Sequence, residues 1–268
     1  MLENPRSPRV RKVAALQKKS ERRETGNFLV EGPQSLREAL TTKPDSVREV
    51  YATPTALERH ADIAQLLSQR GIEAQFISED VLEAMSETVT PQGFVAVCQQ
   101  FLSSIKTIFA EQPTLVVIME EVRDPGNAGT IIRAADAAGA AAVVLSGRSI
   151  DVFNPKVVRS TTGSLFHLPI AVTEELVSAV KLAQQAGMQV IAADVSGDDL
   201  ITARTDGLLK NSTVWVFGNE ARGLGDEALA LVDLALRVPI FGRAESLNLA
   251  TAASVCLFES AFEQRSTT

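Results

Sequence analysis

The chain has 268 residues, 45% of them hydrophobic and 22% charged, with a formal net charge of −7 and a mean hydropathy near zero. That suits one large or two modest globular domains; no apolar run reaches the ~18 residues of a membrane span and no signal-peptide core follows the basic N-terminus, so a cytoplasmic protein without a membrane partner is expected. Cys98 and Cys256 lack zinc-ligand or disulfide spacing, and His60 and His167 are the only histidines, so neither a metal site nor a Ser-His-Asp arrangement is expected.

Charge is unevenly spread. Residues 1–23 hold eight basic residues against Glu3 and Glu21, a net +6 that leaves −13 on the remainder. Such asymmetry describes either a polyanion-binding arm or a solvated basic helix. Residues 1–9, with two prolines, are expected to be a mobile lead-in, and Val10, Val13, Ala14 and Leu16 mark a short helix. Asn27 to Glu31 reads as a strand, and Pro33 to Leu40 as a helix with proline in its first turn. Val47 to Ala52 is a strand, Thr55 to Gln69 a helix ending near Gly71, and Glu73 to Ile77 a strand. Ser78 caps the helix Glu79 to Met85, and Pro91-Gln92-Gly93 turns into the strand Phe94 to Cys98. Residues 1–98 thus form one compact α/β domain, and 99–113 a linker.

From residue 114 to 268 the alternation is cleaner: strand Leu115 to Met119, helix Asn127 to Ala138, strand Ala142 to Leu145, helices around Pro155 to Thr162 and Glu174 to Ala186, strands Gln189 to Ala193 and Thr213 to Phe217, helix Asp226 to Val232, strand Ala235 to Val238, helix Leu247 to Phe262. Short, uniformly apolar strands belong to a mostly parallel sheet with helices on both faces. Gly139 and Gly187 stand where helix C-caps fall. Three strands run into polar, Gly-containing loops, where open α/β sheets bind ligands. Gly126-Asn127-Ala128-Gly129 does not match the G-x-G-x-x-G of a dinucleotide fold, which disfavours a nicotinamide enzyme.

The three loops read Asn127-x-Gly129-x-x-x-Arg133, Phe217-Gly218-Asn219-Glu220-x-x-Gly223 and Ser246-Leu247-Asn248-Leu249-Ala250. In this order and at strand ends, they resemble the SpoU (TrmH-type) RNA ribose 2′-O-methyltransferases of the SPOUT class, over roughly Thr114 to Phe262. Phe28-Leu29-Val30-Glu31-Gly32 and Pro91-Gln92-Gly93-Phe94-Val95-Ala96 are similar to the L30e-like substrate-binding domain of ribosomal-RNA members. The resemblance implies a deep trefoil knot with the chain from Gly242 onward threaded through an earlier loop, S-adenosylmethionine as cofactor, and RNA, 23S rRNA first, as substrate. It also implies a homodimer. The final helix carries Leu249, Ala252, Ala253, Cys256, Leu257, Ser260 and Ala261 at helical spacing, for a pairing face or for its own core.

Carried over residue by residue, the resemblance places cofactor contacts at Phe217, Gly218, Asn219, Gly223, Ile240, Leu247 and Leu249, and polar chemistry at Asn127, Arg133, Glu220, Ser246 and Asn248. Glycines admit close backbone approach. A guanidinium scarcely gives up its proton, so Arg133 reads as a clamp on the phosphate beside the target ribose more than as a base. Glu220 needs a partner such as Arg222 or Arg133, and a base role for it stays open. Ser246 suits the N-cap of the final helix, with Asn248 near its start. Arg9, Arg11, Lys12, Lys18, Arg22, Arg23, Arg123 and Arg159 are candidate phosphate contacts. A tRNA 2′-O-methyltransferase and a catalytically silent RNA-binding or ribosome-assembly protein are the alternatives.

Overall fold

The computed structural model describes residues 1–266. In chain order its first elements are α1 (Pro8–Ala15), α2 (Lys19–Thr25), β1 (Asn27–Glu31), α3 (Pro33–Thr42), β2 (Val47–Ala52), α4 (Pro54–Arg59), α5 (Ala61–Arg70), β3 (Ala74–Phe76), α6 (Glu79–Met85) and β4 (Phe94–Gln99). There follow α7 (Ile105–Ala110), β5 (Leu115–Glu120), α8 (Pro125–Ala138), β6 (Ala142–Ser146), α9 (Pro155–Thr161), β7 (Ile170–Thr173), α10 (Leu176–Gln185) and β8 (Gln189–Asp199). The chain closes with α11 (Leu200–Thr205), β9 (Thr213–Phe217), α12 (Asp226–Leu229), β10 (Leu234–Arg237) and α13 (Leu249–Arg265). Two compact units result: residues 1–101 with 151–167, and residues 102–150 with 168 onward.

The first unit is built on a mixed sheet in the order β1-β4-β2-β3, with β4 antiparallel to both neighbours and β3 parallel to β2. β4 is central because Phe94 to Cys98 are all buried. The turn before it depends on Gly93, at φ +85°, where a Cβ would stand 2.2 Å from that of Ala56. The N-terminus is not the mobile lead-in expected. Leu2 accepts from the Ser78 amide and donates to Phe76, and Val10, Val13 and Leu16 pack with Leu29, Tyr51 and Ile77 in the core. The expected helix from Thr55 is two helices, α4 and α5, broken at His60 (φ −117°, ψ 65°). α2 was not anticipated; its sequence, KSERRET, has no apolar stripe to announce it.

Residues 151–167, which carry α9, belong to this unit although they lie between strands of the other in sequence. Phe153 and Phe166 gather with Phe101 around Phe28 at centroid distances of 4.7–6.3 Å. Asp151 binds Arg22 at 2.6 Å.

The second unit is a six-stranded sheet in the order β10-β8-β9-β5-β6-β7, parallel at every pairing. β5 is buried from Leu115 to Met119 and β9 throughout, as central strands covered on both faces must be. One face is packed by Val116, Ile118, Val144, Val190, Val214 and Val216 against helices that include α10. α13 contributes buried Ala253, Cys256, Leu257, Ser260 and Ala261, and the Ser260 hydroxyl accepts from the buried Trp215 indole N–H at 2.9 Å. β7 and α11 were not anticipated, β8 runs further than expected, and α12 is a single turn. Gly139 caps α8 in the left-handed conformation at φ +72°. Gly187 is also left-handed, φ +76°, one residue beyond the C-cap of α10. Since all six strands point the same way, the loops after β5, β8, β9 and β10 open at one edge of the sheet.

Candidate active site

The loop after β5 is shaped by two acidic side chains. Asp124 caps α8, accepting from the Asn127 amide at 2.7 Å. Glu220, from the loop after β9, accepts from the backbone amides of Asp124 at 2.9 Å and Arg123 at 3.2 Å, and from Asn127 Nδ2 at 3.5 Å. Burial pushes its carboxyl upward, but the donations from Asp124, Arg123 and Asn127 outweigh this and hold it below the ordinary glutamate value. A carboxylate so occupied latches the loop after β9 to the start of α8. The expected partnership with Arg222 is corrected: Arg222 Nη2 lies 2.6 Å from Glu121.

Asn219 folds its own loop. Its Oδ1 accepts from the amides of Ala221 and Arg222, its Nδ2 donates to Glu121 O at 2.9 Å, and its backbone pairs reciprocally with Gly223. Gly218 is compelled by contact, because a Cβ there would meet the Gly223 carbonyl carbon at 2.5 Å. Gly223 is left-handed at φ +63°.

Asn248 is the N-cap of α13, accepting from the Ala250 and Thr251 amides at 3.0 and 3.3 Å, while its Nδ2 donates to Asn127 Oδ1 at 3.0 Å. Ser246, expected as the cap, is exposed two residues earlier. A hydrogen-bonded chain, Asn248 to Asn127 to Glu220, therefore ties the three motif loops together. Arg133 is exposed on the same helix as Asn127.

Beside this chain lies a cavity of about 380 Å³ lined by Asn219, Glu220, Gly223, Ile240, Ser246, Leu247 and Leu249, together with Ala193, Asp194, Val195, Leu236, Arg237 and Val238. Phe217 and Gly218 are buried and do not line it. Asp194 and Val195 were missed. They follow Gln189 to Ala193, an apolar strand running into a polar Gly-containing stretch, which is the same signal that marked the other three loops. Apolar walls interspersed with a few polar residues fit a nucleoside-bearing cofactor. Among the described residues no helix is long and apolar enough to cross a membrane, and no group of three or more His, Cys, Asp or Glu residues could hold a metal ion.

The basic candidates divide. Arg11, Lys12, Lys18 and Arg23 are exposed. Arg22 is not a phosphate contact: it is 1% exposed and spends its guanidinium on Asp151, Leu16 O and Gln17 O. Arg9 lies against Tyr51 and Glu49, Arg159 bridges Glu31 and Glu87 at 3.2 Å each, and Arg123 is 3.3 Å from Glu121.

Comparison with known proteins matches both halves of the chain. Residues 7–96 match an MRM3-like substrate binding domain. A 23S rRNA (guanosine(2553)-2′-O)-methyltransferase of Bacillus subtilis is 35% identical, with 96% of this chain and 97% of the relative covered. A 23S rRNA (uridine(2479)-2′-O)-methyltransferase of Streptomyces viridochromogenes is 31% identical over 92% of this chain and 86% of its own. The crystal structure of the SpoU methyltransferase AviRb from the same organism, in complex with the cofactor AdoMet, superposes with a TM-score of 0.84 at 30% identity, covering 98% of this chain and 100% of that one. Residues 114–258 match the SpoU rRNA Methylase family, and the chain belongs to it.

Proposed function

We propose that the protein transfers a methyl group from S-adenosylmethionine to a ribose 2′-hydroxyl of 23S rRNA. The observation that carries this reading is the chain from Asn248 through Asn127 to Glu220, which joins three motif loops beside a cavity of about 380 Å³. Ile240, Leu247 and Leu249 would hold the adenosine, with main-chain groups of Asn219 and Gly223 close to it. The bound cofactor supplies an electrophilic methyl on a sulfonium, open to direct displacement. Arg133, a permanent cation on α8, clamps the phosphate next to the target ribose and orients the hydroxyl, whose oxygen takes the methyl group while its proton passes to solvent water. Residues 1–98 bind RNA, through Arg11, Lys12, Lys18 and Arg23, and residues 114–268 carry the chemistry.

23S rRNA is favoured over tRNA because relatives named for it match both halves of the chain. The protein works as a homodimer. Ala253 and Ser260 are buried in their own unit, so the pairing stripe on α13 is Val255, Phe258 and Phe262, three residues spaced for one helical face. Phe262→Glu should yield monomers in sedimentation. The function is tested by incubating the protein with labelled S-adenosylmethionine and either 23S rRNA or tRNA, and by mapping ribose methylation in cells with and without the gene. Transfer to tRNA alone would move the substrate; RNA binding without transfer would make the protein a silent binder.

A further inference from the structure

Glu121 directly follows β5 and is left-handed at φ +51°, one of three non-glycine residues so placed among those described. Such a conformation is strained in a side-chain-bearing residue and calls for a reason. The backbone is held there from two sides: its N–H donates to Ser146 O at 3.2 Å and its carbonyl accepts from Asn219 Nδ2 at 2.9 Å. Its Oε2 in turn receives Arg222 Nη2 at 2.6 Å and Arg123 Nη2 at 3.3 Å. One carboxylate oxygen thus bridges two guanidiniums whose side chains are 67% and 52% exposed.

These guanidiniums flank the proposed site. Arg222, Asn219 and Gly223 line the cavity of about 380 Å³ and also a neighbouring one of about 870 Å³, whose lining includes Glu121. Arg123 immediately precedes Asp124, the residue that caps α8. Two forks meeting at one anionic oxygen are laid out for an oxygen of a phosphodiester. The Glu121 side chain is half-buried, but both guanidiniums it holds are mostly exposed to solvent, so the ion pairs have little net hold and a polyanion can displace the carboxylate from them.

We propose that Glu121 is a positioning residue that keeps Arg123 and Arg222 converged and is replaced on them by a backbone phosphate of the substrate RNA. This rests on the reading of the protein as an RNA methyltransferase. The exchange is an ion-pair swap with no covalent change. Its consequence is kinetic: the returning carboxylate competes with phosphate and hastens release of methylated RNA, at the expense of initial affinity.

The test uses full-length protein and 23S rRNA transcribed in vitro. Glu121→Gly removes the carboxylate and is at ease at φ +51°, so it should fold; Glu121→Gln removes the charge and keeps the side chain. Both should lower KM for RNA and kcat together, by about fivefold each, steepen the dependence of RNA binding on salt by about one log unit per log unit, and leave S-adenosylhomocysteine affinity unchanged. Adding Arg222→Ala to Glu121→Gly should erase the gain in affinity. A KM and salt slope equal to those of wild type, or weaker RNA binding in both single variants, would overturn the exchange. Absence of RNA binding and methyl transfer in the wild type would instead remove the reading beneath it.

Discussion

At the scale of single residues, the site separates groups that touch substrate from groups that hold the loops. Arg133 is proposed to meet phosphate and ribose and not the adenosine. Arg133→Ala should therefore reduce methyl transfer by more than a hundredfold (about 3 kcal/mol for a charged transition-state contact) while calorimetry finds S-adenosylhomocysteine affinity retained. Arg133→Lys should fail too, since one ammonium cannot reproduce a two-point clamp. Glu220 belongs to the second group. Its carboxyl is held below the ordinary glutamate range despite burial, because backbone amides and Asn127 donate to the ionised form. A depressed carboxyl pKa stabilises the folded state above the unfolded value and loses that contribution as pH falls through the folded value. The stabilisation is thus complete at neutral pH and fades in acid, below about pH 4. Glu220→Gln should lose part of this acid dependence in thermal unfolding monitored from pH 7 to pH 3. Between pH 6 and 9, well above the range where this carboxyl titrates, its pH–rate profile should keep the wild-type shape at lower amplitude; loss of an ascending acid-side limb would assign Glu220 as the base.

At the scale of elements, the helix starts decide where the motif side chains stand. Asn248 satisfies two amides of α13 and reaches Asn127, whereas Ser246 is two residues outside the cap. Asn248→Ala should cost about 1 kcal/mol of stability, as lost N-caps do, and should impair activity because Asn127 loses its partner. Ser246→Ala should leave the melting temperature unchanged; paired denaturation curves decide the point. Either residue type caps well, so composition offered no choice between them. The choice was made by where the loop from Gly242 delivers the chain onto α8. The buried pair Trp215–Ser260 shows the same limit, since a serine at helical spacing reads equally as a pairing face or as the acceptor for an indole on another element.

At the scale of the whole molecule, the two units are not consecutive segments, because residues 151–167 belong to the first and are bounded in sequence by the second. Cutting the chain in the 99–113 stretch would strip the buried Phe153 and Phe166 of Phe28, the ring they pack against. A fragment of residues 102–268 should therefore aggregate or bind a hydrophobic dye, and replacing 151–167 in it by a short polar loop should restore a monodisperse protein in light scattering. The basic N-terminus resists excision for a related reason. Val10, Val13, Leu16 and Arg22 are all buried, so removing residues 1–23 would damage the core before it tested RNA binding. Replacing only the exposed Arg11, Lys12, Lys18 and Arg23 by Gln should weaken RNA binding and flatten its salt dependence by about 3 log units per log unit, with cofactor binding intact.

The sequence by itself determined the alternation of elements, the parallel character of the second sheet, and the three loops at strand ends, since each is written in neighbouring residues: apolar runs, caps, and glycines where the backbone must turn. The part played by Gly218 and Gly223 was half visible, as both could have been ordinary turn glycines, and only the fold brings the Gly223 backbone to where a Cβ on Gly218 would stand 2.5 Å from its carbonyl carbon. Only the tertiary structure decided which of two neighbouring residues caps α13, that Glu220 is consumed by amides of a loop 96 and 97 residues away, that Arg22 is buried, and that residues 151–167 join the first unit. Each of these depends on partners distant in sequence, and a local pattern of charge and hydropathy carries no record of which distant backbone amide, carboxylate or ring will come to meet it.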